Sequence, residues 1–456
     1  MSTKNEQTNS SAVFAANNLT TNSYDVTDFG TLGTSDDSDV FQDAIDHVRT
    51  NGGGQINIPS GTYYANIVLD SNIFLNGAGP NTTILKSVSG SNLDVIQGRD
   101  FALLTNTPKA NPETRGVRYA GVSNLSIDGN KQNNSAGCGM RIWGCSLYVN
   151  NIVVANCKED GIYTEFTTHD YPLSDFSTTY DALESNFNHI KTVANNGNGW
   201  TYKGPHDSEI NDYVSFRNGG WALYQEKGSL NGVHWNSWLN SNSFYFGDVV
   251  KLDNIVASGE TGTGIEFYEA VSSCSITNLT LGGHNTGIIL RGERHKISGY
   301  AGTIKDVAII NDNAGMCNIE LIMYDIKNIY QQINNGRHNV YKIQARLKSG
   351  QNIGKNQDWF PHITEHTEIM VYNEDSASYT TIFRIPNDKL WKNGWQPELP
   401  DSNSKIICAD SFASTIETGV VKKAMNQSDS SATTVTDELV SDFNTLLLNL
   451  KNAGMM

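Results

Sequence analysis

Between Gly139 and Gly292 a short pattern returns at nearly equal intervals: a small residue followed by an alternating strand. It begins at Gly139, Gly161, Gly199, Gly220, Ser243, Gly264 and Gly287. The steps are 22, 38, 21, 23, 21 and 23 residues, and the long one reads as an ordinary turn carrying an insertion. A chain that repeats one short strand at this period must stack the copies, because no single copy can bury its apolar face alone.

Side chains of a strand alternate between its two faces. The first and third residues after each start are Met140 and Ile142, Ile162 and Thr164, Trp200 and Tyr202, Trp221 and Leu223, Phe244 and Phe246, Ile265 and Phe267, and Ile288 and Leu290. That column is almost wholly apolar and is expected inside. The second and fourth residues mix charge with aromatic rings, among them Arg141, Trp143, Tyr163, Glu165, Lys203, Tyr224, Tyr245, Glu266, Tyr268 and Arg291. They are expected to point outward. A second strand precedes many of the rungs, and Gly and Asn rather than helical spacing punctuate the turns. The fold these features predict is all-β, a single-stranded parallel β-helix running from about residue 55 to 345. Its rungs stack about 4.8 Å apart, so the outward column becomes a continuous stripe.

A solenoid can absorb all 456 residues as one body, since each turn meets only its neighbours. Charged residues make up 18% of the chain and the net charge is -16, which argues against nucleic-acid binding. A polyanionic partner requires a locally basic surface. The six cysteines, Cys138, Cys145, Cys157, Cys274, Cys317 and Cys408, form no Cys-x-x-Cys motif, so they read as buried thiols rather than a zinc or redox centre. No stretch has the length of a membrane span, and the N-terminal residues carry no apolar signal region, so neither a membrane partner nor a secretion address is expected.

Residues 1–22 are polar and read as a flexible arm. The acidic cluster Asp36, Asp37 and Asp39 opens a helix from about Asp39 to Arg49, with Val40, Phe41, Ala44, Ile45 and Val48 on one face and Gly52, Gly53 and Gly54 beyond its end. An exposed first rung is a sticky strand edge, and this helix is placed to cap it. The run Asp28-Phe29-Gly30, then Asp36-Asp37, the helix, the glycine triplet and Pro59-Ser60-Gly61-Thr62-Tyr63 resembles the opening of the pectate-lyase-like superfamily. The branch it is similar to contains right-handed parallel β-helix glycosidases, lyases and phage tailspikes. That resemblance implies a right-handed solenoid, a polysaccharide partner, a homotrimer and no cofactor.

The repeat is interrupted at 99–119, a surface excursion, and at 167–184, a long loop on one side of the stripe. The domain organisation expected is an arm at 1–22, the β-helix with its cap at 23–345, a small β or irregular unit at 346–404, and a tail at 405–456 carrying a helix. In that tail Leu439, Phe443, Leu446, Leu450 and Ala453 fall on a short heptad seam. The ending from Asp442 to Met455 resembles the C-terminal tails of phage and prophage tail proteins, which implies a virion tail or extracellular location.

The stripe suits a glycan. Aromatic faces such as Trp143, Tyr163, Tyr224, Tyr245 and Tyr268 pack on pyranose rings, although lateral stacking that merely stabilises the surface is the plainer alternative. Glycoside hydrolysis requires two carboxyl groups. Glu226, Glu266 and Glu269 are the first choice, with Glu165 in reserve. Two rungs separate Glu226 from Glu266, about 9.6 Å, which permits inversion and not retention. A lyase needs instead a base and a cation facing a uronate, and Glu165, Lys203 and Arg291 are the candidate set. A structural salt bridge between Glu165 and Lys203 is the alternative. His169, His189, His206 and His234 have no spacing that marks a metal site, and no acidic cluster reads as a calcium loop. The expected activity is that of a tailspike-like depolymerase acting on a bacterial surface or exopolysaccharide, as a glycoside hydrolase. A lyase and a non-catalytic receptor-binding tail protein are the alternatives.

Overall fold

The computed structural model describes residues 22–99, 101, 116–166, 184–259, 261–334 and 339–345, together with three strands beyond them. It is a right-handed parallel β-helix. Short rung strands such as Ile162–Glu165, Trp200–Lys203, Trp221–Gln225 and Asn242–Phe246 pair in parallel into one ribbon. Longer strands such as Asn186–Val193, Ser208–Phe216 and Leu230–Trp238 form the rest of each turn. These bend midway at aligned left-handed residues: His189, Asp212, His234, Asn254 and Asn278 have φ of 53°, 54°, 59°, 58° and 51°. Asn and Asp tolerate this conformation best, which accounts for the polar corners.

The inward column is buried with one exception. Ile162, Trp200, Phe246, Phe267 and Leu290 are fully buried, and Trp221 is not. Trp200 pairs with Leu223, so the rung after Gly199 starts at Ala222 and not at Gly220. Trp221 stands at the corner before it, half-buried, with its ring edge-on to Tyr245 at 5.7 Å. The corrected column is Gly139, Gly161, Gly199, Ala222, Ser243, Gly264, Gly287 and Ala308. A Cβ on Gly287 would stand 2.4 Å from the Ala308 carbonyl oxygen, so the backbones are packed too closely there for a larger residue.

The helix α1, Ser38–Thr50, covers the first rungs with Phe41, Ala44, Ile45 and Val48 buried. Asp37 occupies its N-cap position without capping it; the carboxylate instead accepts hydrogen bonds from the Thr34 amide at 2.9 Å and hydroxyl at 2.7 Å. At the far end the parallel pairing continues past residue 345. Thr367–Asn373 pairs in parallel with Asn339–Ala345, and Ser378–Ile385 closes antiparallel on it. The expected arm, most of the insertion at 167–184 and the tail at 405–456 lie outside the described residues. Cys138, Cys145, Cys157, Cys274 and Cys317 are buried and stand outside any disulfide.

A row of asparagines inside the solenoid is paired along its axis. The Asn195 amide nitrogen donates to Asn218 Oδ1 and Asn218 in turn to Asn240 Oδ1, both at 2.9 Å. Each oxygen also accepts the backbone N–H of the preceding turn. Near this ladder Ser237 meets Ser243, and Ser243 meets Nε2 of the fully buried His284 at 3.0 Å. Burial pulls the His284 pKa down to about 4 from an ordinary 6.5.

Two outcomes follow from the register and from His284. Leu223→Asp places an unpaired charge in the core and abolishes the folded state, whereas Trp221→Asp keeps the β spectrum in far-UV circular dichroism. Because the folded pKa of His284 is depressed, its unfolded form binds the proton more tightly. The stability linked to it is complete above pH 6.5 and declines as pH falls toward about 4. The maximal slope is about 1.4 kcal/mol per pH unit. Urea unfolding across that window should show this loss, and His284→Gln should flatten it.

Candidate functional site on the rung face

Register aligns the outward residues of the short ribbon into two columns. One runs Arg141, Tyr163, Thr201, Tyr224, Tyr245 and Glu266. In the other, Trp143, Glu165 and Lys203 follow in register, and Glu226 joins them through its ion pair with Lys203. Each step is one rung, so a side chain meets neighbours above and below that are distant in sequence.

Tyr163 is the most heavily supported group on this face. The Arg141 guanidinium and the Lys203 ammonium lie over its ring, each 5.6 Å from the centroid. Its hydroxyl donates to Glu165 Oε2 at 2.9 Å. Burial first, and then the Glu165 and Glu226 charges, push the phenol well above its ordinary pKa of 10, so it keeps its proton. The ring of Phe101 packs edge-on against it at 5.6 Å.

The sequence candidates separate into distinct settings. Glu226 pairs with Lys203 at 2.7 Å, and Glu165 with Lys227 at 3.6 Å, so the Glu165–Lys203 bridge expected from register gives way to two others. Glu266 binds Arg291 at 2.6 Å, and Arg291 also binds Asp312 at 2.7 Å. Arg291 stands five rungs beyond Glu165, about 24 Å along the axis, and cannot share a sugar residue with it. Glu269 is exposed in the turn that follows Tyr268. Tyr224 and Tyr245 stack on each other with centroids 4.5 Å apart, the lateral stacking that was the plainer alternative, while Tyr268 is 44% exposed. Trp143 is corrected outright: it is 1% exposed, covered in a small cluster by Phe101, Cys145 and Phe166, and offers no surface to a ligand.

Three acidic residues that the strand alternation does not single out stand at the start of the same face. Asp94 lines a cavity of about 280 Å³ with Arg141, Glu159 and Gln97. Arg141 Nε is 3.1 Å from Asp94 Oδ2, and its Nη2 is 2.5 Å from Glu159 Oε2. Burial raises the Asp94 carboxyl despite the opposing Arg141 charge. It also raises Asp160, which accepts from the Thr201 hydroxyl at 2.6 Å and the Asn198 amide at 2.7 Å. Glu159 and Asp160 sit at the turn before Gly161, and an acidic pair abutting a rung start is the sequence cue that alternation passes over. Asp94, Cys138 and Glu159 bring possible metal-ligand atoms within 4.8 Å of one another. The guanidinium of Arg141 already stands among them, 3.0 Å from Cys138 Sγ, and burial pushes that thiol up toward its neutral form. The arrangement serves a fixed organic cation better than a metal ion.

Several known proteins are similar to this chain or to parts of it. Alginate lyase 7 of Azotobacter vinelandii is 34% identical over 121 residues, covering 24% of this chain and 13% of that protein. The chain thus spans a small part of that relative's length. The A-module of the mannuronan C-5 epimerase AlgE4 from Azotobacter vinelandii is 16% identical with a TM-score of 0.47, covering 72% of this chain and all of that one. The tailspike protein gp49 of Acinetobacter baumannii bacteriophage Fri1, a capsular polysaccharide depolymerase, is 14% identical with a TM-score of 0.43, covering 79% and 67%. Residues 409–456 match a family described as head fiber protein of phages. Among the described residues no helix is long and apolar enough to cross a membrane.

Proposed function

We propose that this chain is a virion-tail protein that binds a uronate-containing bacterial polysaccharide along the rung face and cleaves it by β-elimination. The observation that carries the reading is Tyr163, flanked by Arg141 and Lys203 and hydrogen-bonded to Glu165. The two cations neutralise the uronate carboxylate, which acidifies the proton on C5. Glu165 accepts that proton. The electron pair forms the C4–C5 double bond as the C4–O bond breaks, and the Tyr163 hydroxyl, held protonated, supplies the proton to the leaving oxygen. The short alginate lyase match supports this chemistry, and the head fiber match supports a place on the virion.

Glycoside hydrolysis is the second reading. It rests on Glu226 and Glu266, which lie beside Tyr224 and Tyr245, two rungs apart along the axis and in adjoining columns, so their backbones are separated by at least the upper edge of the inverting range, about 9.5 Å. Against it, Glu226 and Glu266 are held by cations at 2.7 and 2.6 Å, closer than the 3.6 Å between Glu165 and Lys227, whereas the acid role calls for a carboxyl set against apolar surface. The proposed assembly is a homotrimer joined through the heptad seam of the tail.

On uronate-containing capsular glycans, elimination yields new reducing ends together with the ultraviolet absorbance of the C4–C5 double bond. Tyr163→Phe and Glu165→Gln each reduce the rate at least about a hundredfold, while Glu266→Gln and Glu269→Gln leave it nearly unchanged. Reducing ends without the double bond, and loss of rate in Glu226→Gln or Glu266→Gln instead, would establish the hydrolase. Light scattering of the full chain should give a trimer, and deletion of residues 426–456 should weaken assembly while preserving the β spectrum.

A further inference from the structure

The cavity at the start of the rung face differs in charge from its neighbour one rung on. Asp94 and Glu159 together outweigh the single guanidinium of Arg141. Around Tyr163, by contrast, Glu165 and Glu226 are each matched by a lysine, Lys227 and Lys203, and Arg141 adds a further cation over the ring. A uronate carboxylate is therefore repelled more from the first place than from the second. The cavity is nevertheless a built one. The Asp94 side chain is 8% exposed, fixed by the Cys138 amide at 2.7 Å, and Asn66 Nδ2 holds the Asp94 carbonyl at 2.9 Å. At about 280 Å³ it lies just below the usual range of small-molecule sites, about 300–1,000 Å³, and so suits one sugar ring rather than a longer piece. Its wall combines carboxylates and amides, which accept and donate to hydroxyls, with Leu93, an apolar side chain left 59% exposed at the rim.

We propose that this cavity is a subsite for a neutral, hydroxyl-rich sugar residue adjoining the uronate held at Tyr163, so that the recognised glycan is a heteropolysaccharide and not a homopolymer of uronic acids. The inference rests on the uronate reading above. Arg141 links the two subsites: its guanidinium closes the cavity on one side and faces Tyr163 on the other. Placing the acidic pair directly behind that cation discourages a second carboxylate on the adjoining residue, which is how a site rejects a uniformly charged chain.

Isothermal titration calorimetry of the full chain tests this with four probes. Tetramannuronate and tetragalacturonate are homopolymers, and the tetrasaccharides of hyaluronan and heparosan alternate a uronate with a neutral amino sugar. The alternating pair should bind at least about tenfold more tightly, a difference of about 1.4 kcal/mol. Ala136→Trp, which fills the cavity, should abolish that preference and leave tetragalacturonate binding unchanged. Leu93→Ala, at an exposed position that does not threaten folding, should reduce the preference in the same direction. Equal affinity for all four, or a preference that survives both substitutions, overturns the subsite. Lys203→Met separates this from failure of the uronate reading. If it weakens all four probes, the uronate site stands whatever becomes of the subsite. If it changes none of them, the uronate site and the subsite fall together.

Discussion

The close approach of one turn's backbone to the next governs the rest of this molecule. At the small-residue column the rungs come so near that a Cβ on Gly161 would lie 2.6 Å from the carbonyl oxygen of Gly199, and one on Gly199 would lie 2.5 Å from that of Ala222. Parallel hydrogen bonding then locks each rung in register with its neighbours. Every outward side chain inherits its position from that lock. Arg141, Tyr163 and Lys203 meet because three successive rungs deliver them to adjoining places, although 62 positions separate the first from the last. A site built in this way needs no loop to assemble it, and its precision is that of the scaffold.

Net charge gives little guide to such a surface. The chain carries -16 overall, yet the ring of Tyr163 lies beneath two cations. Partial burial makes these few groups count for more, because charges withdrawn from water interact more strongly. The same burial keeps the Tyr163 phenol protonated and raises the Asp94 and Asp160 carboxyls. An acidic protein thus gathers cations and carboxylates in alternation around one ring.

Much of the fold is legible in the sequence because two simple periods coincide: alternation within a strand, and a step of 21 to 23 residues between most strands. The slip at Gly220 shows how far this goes. Gly220 and Ala222 are both small, and a shift of two residues preserves strand parity, so Tyr224 stays outward in either register. What the slip loses is position along the rung, and Trp221 moves from the core to a corner. The site was harder to read for a different reason. Trp143 has outward parity, but Phe101 and Phe166 cover it, and both lie at the margins of segments that leave the repeat. Asp94, Glu159 and Asp160 sit in turns, where alternation carries no information. Pairing between columns also depends on side-chain reach: Lys203 lies in register with Glu165 and bonds Glu226 on the other side.

The buried asparagine ladder has a mechanical consequence. Asn195, Asn218 and Asn240 bond along the solenoid axis, parallel to the backbone hydrogen bonds between turns. Tension along that axis loads all the bonds between two turns at once, so the rod resists stretching as a bundle of springs acting together. A force that lifts the end of the chain sideways loads them one after another. The solenoid is therefore stiff when pulled lengthwise and weakest to peeling at an uncovered end, which gives the helix Ser38–Thr50 a task beyond covering apolar surface: it clamps the edge from which unravelling would start.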